Sequence, residues 1–333
     1  MKKIILPLLI LIVIGGIYYY RTINYISPVK DLTIPFEIKS GESSLEIAKN
    51  LEAKQLIKNI YVFEIYVLLT GISDNFQAGQ HYLTGNQTLK DYVRALTEAV
   101  AKDEISITII EGWDNIQIAQ YLEDRKIAKK EEFLNVTQKE FKEFESRYDF
   151  LNDKPEGQGL LGYLFPDTYR IYRNASVRDI IDKMLSNFGR KLSLNLREKI
   201  AGEGKTIYDI IILASILEKE VSTYDDQRWV ADIFYKRLKA GIPLQADSTI
   251  NFITKKGTDR ASLEDTKIDN PYNTYKYKGL PPGPICNPGL SSIKAAISPL
   301  KNDYWYFLTT NDGKVIYSKT YQEHLKNKAK YLK

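Results

Sequence analysis

Hydrophobic and polar positions change period several times along this chain of 333 residues, and each change predicts an element. Ile4 to Tyr20 is apolar throughout apart from its tyrosines, with Met1-Lys2-Lys3 before it and Arg21 after it. Such a run lies at the low end of the roughly 17 to 25 residues that cross a bilayer. The two lysines favour a cytoplasmic N-terminus and an exported remainder. A cleaved signal peptide is the competing reading, but the run ends in Ile17-Tyr18-Tyr19-Tyr20 rather than in a small-residue cleavage site. Interfacial tyrosines suit a retained anchor over residues 1–21, with a short tether to Asp31.

A repeat follows. Phe36, Ile38, Gly41, Leu45, Ile47, Ala48, Leu51 and Leu56 map without a gap onto Ile107, Ile109, Gly112, Ile116, Ile118, Ala119, Leu122 and Ile127. Each copy reads as a period-2 strand, a glycine turn and a period-3.6 helix. Between the copies the pattern predicts a helix over 62–70, a strand over 78–82 and an amphipathic helix from Thr88 to Ala99, with Thr88 as N-cap. The repeat region spans 32–130, a charged helical linker 131–155, and the remainder, 156–333, forms the last domain. The boundary is placed at Asn152-Asp153-Lys154-Pro155-Glu156-Gly157.

In that last domain helices are predicted over 177–188, 206–221, 228–238 and 291–297, and a hairpin joins 304–309 to 315–318 across Asn311-Asp312-Gly313. The helix over 206–221 is apolar from Ile210 to Leu217 and closes in Glu218-Lys219-Glu220. A carboxylate set among so many apolar groups is either paired or functional. Residues two apart on a helix differ by about 200° in direction, so Glu218 and Glu220 cannot serve one site. Glu220 continues the stripe of Ile216 and Leu217 and is the catalytic candidate; Glu218 is assigned a supporting hydrogen-bond or ion-pair role.

Composition narrows the chemistry. Forty-seven basic against 42 acidic residues give +5, spread along the chain as a solvated surface, which argues against nucleic acid. Cys286 is the single cysteine, so no internal disulfide forms, and with only His81 and His324 a histidine-rich metal site is not expected. No cofactor is called for. Most of the 24 tyrosines are packing residues, although phenol rings also stack on sugar faces.

Three islands accompany the acidic pair: Leu164-Phe165-Pro166-Asp167-Thr168-Tyr169, Leu244-Gln245-Ala246-Asp247, and Asn273-Thr274-Tyr275 leading into the Gly279 to Gly289 loop, G-L-P-P-G-P-I-C-N-P-G. Prolines stiffen that loop and glycines allow close approach, so it is expected to form a groove wall facing the acid. With A-S-I-L-E-K-E, these islands resemble the YceG/MltG family of membrane-anchored endolytic murein transglycosylases. The resemblance runs over essentially the whole chain. It implies an α+β architecture: an N-terminal transmembrane helix, a LysM-like α+β subdomain and a C-terminal mixed α+β catalytic domain. The repeat is similar to the LysM glycan-binding module; the alternative is a plain α+β spacer.

The resemblance also implies Glu220 as catalyst, Gln245, Asp247, Asn273, Tyr275, Asp167 and Tyr169 as substrate-binding residues, glycan strands as substrate and peptidoglycan synthases as partners. The implied location is the bacterial inner membrane, with the catalytic domain outside the cytoplasm. Two positions depart from the family pattern. Leu161-Gly162 replaces Glu-Gly, which removes a carboxylate, and Asp247-Ser248-Thr249 replaces Asp-Pro-Thr, which is expected to cost only backbone rigidity. Two rival readings stay open: a muramidase using Asp247 or Asp167 as second acid, and a non-catalytic glycan-binding scaffold.

Overall fold

The first copy of the repeat folds as β-α-α-β and the second carries an extra short helix before its closing strand, and the chain divides between them, into compact units Met1–Asp103 and Glu104–Lys333. The computed structural model describes residues 2–30, 34–97, 104–173, 175–257 and 261–332, without the side chains of residues 2–6, 8 and 9. The fold is mixed α+β, with helices and small two-stranded sheets.

The first unit holds α1 (Lys2–Ile23), β1 (Ile34–Ile38), α2 (Ser44–Ala53), α3 (Ile60–Thr70), β2 (Gly79–Leu83) and α4 (Leu89–Thr97). Strands β1 and β2 pair antiparallel from Ile34↔Leu83 to Ile38↔Gly79. Period-2 patterning sends Ile34, Phe36 and Ile38 into a core shared with Ile47, Leu51, Phe63 and Leu96. The predicted helix end at Ala99 lies outside the described residues. The expected tether is tied down: Ile23 is buried and the Ser27 N–H donates to the Gln87 carbonyl at 2.9 Å. Among the described residues no helix is long and apolar enough to cross a membrane, so the anchor rests on the sequence alone.

The second unit contains β3 (Glu104–Thr108), α5 (Asn115–Asp124), α6 (Lys130–Gln138), α7 (Lys142–Glu145), β4 (Thr168–Tyr172), α8 (Val177–Lys191), α9 (Leu194–Gly202), α10 (Ile207–Glu220), α11 (Tyr224–Lys239), α12 (Asp247–Thr254), α13 (Leu290–Ile297), β5 (Tyr306–Thr309), β6 (Val315–Ser318) and α14 (Tyr321–Tyr331). Its copy of the repeat pairs β3 with β4 from Glu104↔Tyr172 to Thr108↔Thr168. Both copies turn on a left-handed glycine, Gly41 at φ 82° and Gly112 at φ 78°, which an L side chain would strain. Both then start a helix with a capping box, Ser43 with Glu46 and Asp114 with Gln117.

Residues 131–155 are part of the second unit rather than a linker, because Phe133, Phe141 and Phe144 are buried in its core. The single helix predicted there is broken after α6. The Thr137 carbonyl accepts the Leu160 N–H at 2.8 Å, which takes the place of a continuing helical bond. Around α10 everything else is assembled. Its N-cap Thr206 accepts the Asp209 N–H at 3.0 Å, and every residue from Ile210 to Leu217 is buried, because a helix apolar on all sides must be covered on all sides. Helices α9, α11, α12 and α13 cover it.

Candidate active site

The buried body of α10 ends in two acids that face different neighbours. Glu218 Oε2 accepts the Gly289 N–H at 2.9 Å and the Ser292 hydroxyl at 2.6 Å, which pins α10 to the start of α13. Glu220 Oε1 accepts the Ser248 N–H at 3.1 Å from the first turn of α12. The Glu220 carbonyl accepts the Thr309 hydroxyl of β5 at 3.3 Å.

Burial pushes the Glu220 carboxyl from its ordinary 4.5 to about 7, and the negative charge of Asp247 pushes the same way, against the opposing pull of Ser248. At that value Glu220 is a neutral acid for part of the population near pH 7 and a carboxylate for the rest. One group can therefore both give and take a proton. The Ser248 hydroxyl is buried and has no partner in hydrogen-bond geometry among the described residues. Ser248 also keeps a main-chain N–H that proline at this position would lack, so the departure from Asp-Pro-Thr adds a donor to the acid as well as loosening the backbone.

Asp247 and Tyr275 join this group: the phenol donates to Asp247 Oδ1 at 2.6 Å. Thr274 knits the two islands together, its carbonyl accepting the Gln245 N–H at 3.0 Å and its hydroxyl the Ala246 N–H at 3.0 Å. Gln245 is exposed and held at φ 54°, a conformation that costs a non-glycine residue on the order of 1 kcal/mol and is common at ligand sites. Behind the turn, the buried Arg237 guanidinium donates to the carbonyls of Pro243, Leu244 and Trp305.

Three expected contacts are placed elsewhere. Asn273 is fully buried; its amide donates to the Thr266 and Ile268 carbonyls at 3.0 and 2.8 Å and accepts the Tyr275 N–H at 3.0 Å. Its hydrogen-bonding capacity is used inside its own loop, so it shapes the loop that presents Tyr275 and does not face a ligand. Asp167 is held by Asn187 at 3.0 Å and Lys191 at 3.3 Å, which keep its carboxyl below the usual range. Tyr169 is buried, donating to the Phe165 carbonyl at 2.5 Å and accepting from Asn187 at 3.1 Å. Both therefore help fasten β4 to α8, Tyr169 as a packed side chain and Asp167 as a partly exposed carboxylate.

The proline-rich loop is likewise no open wall. Ile285 N–H donates to Ser215 Oγ at 3.0 Å and the Cys286 thiol to the Ser215 carbonyl at 3.3 Å, so the loop lies against the buried face of α10. Asn287, which the sequence did not single out, is its hub. Its Oδ1 accepts the N–H groups of Gly162 and Leu164 at 2.8 and 3.1 Å, and its Nδ2 donates to Trp113 O and Asn115 Oδ1 at 3.0 and 3.2 Å. Gly162 has to be small there, since a Cβ would stand 2.6 Å from Ile211 Cγ2. Only the Asn-Pro pair inside a stiff loop hinted at this role.

The profile of the YceG-like family matches residues 36–330. An endolytic murein transglycosylase of Bacillus subtilis is 36% identical over 334 residues, covering 96% of this chain and 91% of that protein. One from Streptococcus pneumoniae is 30% identical over 89% of this chain and 58% of its own length. The crystal structure of a yceG-like protein from Listeria monocytogenes superposes with a TM-score of 0.61 at 33% identity, covering 88% of this chain and 98% of that one.

Proposed function

This chain belongs to the YceG-like family, and from that membership and the setting of Glu220 we infer that it is an endolytic murein transglycosylase, a lyase cutting glycan strands of peptidoglycan. The observation that carries the mechanism is a carboxyl at the end of an apolar helix, pushed to about 7, within a group of polar side chains. Protonated Glu220 gives its proton to the oxygen linking N-acetylmuramic acid to the next sugar, and the bond from C1 to that oxygen breaks. The resulting carboxylate takes the proton of the same muramic acid's C6 hydroxyl, whose oxygen closes on C1. A 1,6-anhydro end forms, water is not consumed and Glu220 is restored to its acid form.

Gln245, Asp247 and Tyr275 hold the sugar on either side of the cleaved bond. The exposed Gln245 amide is free to meet polar groups, and Asp247, fixed by Tyr275, accepts a sugar hydroxyl. Glycan binding by the first unit is supported by its LysM-like β-α-α-β order and by a polar depression at the Gly41 turn, lined by Lys39, Ser40, Glu42, Glu46 and Asn50. Residues 4–20 anchor the protein in the cytoplasmic membrane, supported by the Lys2-Lys3 flank and by exposed Leu11, Ile12 and Ile17 on α1. The catalytic unit then works outside the cytoplasm on strands as synthases release them. Digesting purified sacculi tests the reaction: 1,6-anhydro ends are expected, whereas reducing ends would mean a hydrolase.

A further inference from the structure

We propose that Ser248 sets the working state of the catalytic acid: its main-chain N–H holds Glu220 Oε1 and leaves the proton on Oε2, and its hydroxyl turns to the carboxylate once that proton has gone. The proposal rests on the acid role given to Glu220 above. Two independent observations carry it. The first is the bond itself, 3.1 Å from Ser248 N to Glu220 Oε1. Ser248 is the second residue of α12, and an N–H in a first helical turn has no acceptor within its helix, so it is available to another group. The oxygen of a carboxylic acid that accepts an N–H is its carbonyl oxygen. The proton therefore sits on the other one, and Oε2 is the atom that must point at the glycosidic oxygen.

The second observation is the hydroxyl. Ser248 is 8% exposed, and its Oγ lies close enough to the Glu220 carboxyl to favour the charged form, yet makes no bond in hydrogen-bond geometry among the described residues. A buried hydroxyl left unpaired is destabilising, and such atoms in native proteins call for a reason. Beside a carboxyl that alternates between acid and anion the reason is direct. Oε1 of the neutral acid is already engaged, whereas the anion offers further lone pairs, and a hydrogen bond to an ionised acceptor is about twice as strong as a neutral one. The hydroxyl is then satisfied as charge develops on Glu220 and released when the proton returns. The ionisable groups facing Glu220 are Asp247 on α12, which favours the acid form, and Tyr275 on the neighbouring loop, with Arg237 of α11 behind Tyr275. Ser248 opposes Asp247.

The test uses the full-length protein on purified sacculi, with the rate of anhydro-end formation followed against pH. Ser248→Ala removes the hydroxyl alone. Ser248→Pro removes the N–H as well, and the first turn of a helix tolerates proline. Both variants are expected to move the alkaline limb of the profile upward, by about half a unit to one unit, and to lower the plateau about tenfold. Ser248→Thr keeps both donors and is expected to keep the limb of the parent. A role confined to packing would lower the melting temperature and leave the limb in place. If Ser248→Pro does not fold, Ser248→Ala decides. An unmoved limb in the folded variants, or a limb that Ser248→Thr fails to restore, overturns the proposal. Glu220→Gln run alongside separates the two levels: a fully active Glu220→Gln removes the acid assignment itself, whereas an inactive one with unmoved Ser248 variants removes only the role of Ser248.

Discussion

Glu218 accepts the Ser292 hydroxyl at 2.6 Å, a bond that fastens the last turn of α10 to the first turn of α13. Glu220, two residues on, turns to α12 instead. The two acids therefore respond differently to substitution. Glu220→Gln is expected to fold and to lose roughly 10² to 10⁴ of its rate, the usual worth of a positioned proton donor. Glu218→Ala leaves the Gly289 N–H and the Ser292 hydroxyl without their acceptor. It is expected to lose about 2–4 kcal/mol of stability while its folded fraction still turns over. Denaturant unfolding and strand cleavage measured on the same preparations separate the two roles, and equal turnover by wild type and Glu220→Gln would remove the catalytic assignment.

The raised carboxyl has a stability signature with a definite sign. Glu220 titrates at about 7 in the folded state against an ordinary 4.5, so folding favours its protonated form. Below pH about 4.5 the group is neutral in both states and carries no penalty. The penalty grows between 4.5 and 7 and is complete above 7, as stability is lost with rising pH. Glu220→Gln, neutral throughout, is expected to be more stable than wild type at pH 8 by on the order of 2–3 kcal/mol and equal to it at pH 4. Thermal melts of both proteins at the two pH values check this; a difference that is the same at both would show that burial does not weaken the acid.

Period and capping made the repeat, most helices and every strand but β4 legible in the sequence, since these are local properties of a few adjacent residues, while α9 and α14 were not read. The same is true of Glu220, because the apolar run before it and the angular step from Glu218 are readable from neighbours alone. Pairing over distance was not. Strand β3 meets β4 across some sixty residues, and that contact, which no local pattern encodes, brings the second repeat copy into the catalytic unit. Helix α12 was hidden in a stretch dominated by glycine and proline, and with it the Ser248 N–H. Asn273 and Tyr275 stand side by side in one motif, yet one is buried and internally bonded while the other reaches Asp247. Residue type alone does not distinguish those fates.

Asn273→Ala follows from that difference. The substitution leaves the Thr266 and Ile268 carbonyls and the Tyr275 N–H without the amide that bonds them. The expected loss is about 2–4 kcal/mol of stability, as for other disrupted buried networks. Turnover per folded molecule should stay near wild type, because no atom of Asn273 is left to face the sugar. Active-site titration at a temperature where the variant is folded checks the second half. A large fall in rate without a fall in melting temperature would return Asn273 to the substrate-binding residues.

The anchor proposed for residues 4–20 can be located by depth. On α1, Leu11, Ile12 and Val13 are 65%, 64% and 56% exposed, a surface that water disfavours by roughly 25 cal/mol for each Å² and that lipid would cover. In the proposed topology, lysines at 2 and 3 would hold one end in the cytoplasm and the tyrosines at 18–20 would mark the other interface. In vesicles of brominated lipid, Ile12→Trp is expected to be quenched most by bromines near the bilayer centre. Tyr18→Trp should be quenched by bromines close to the headgroups instead. The three native tryptophans supply a background measured in the parent protein. A helix lying flat on the surface would give both positions the same shallow profile, and a cleaved leader would give no quenching at either. Each of those results would take the catalytic unit off its proposed tether.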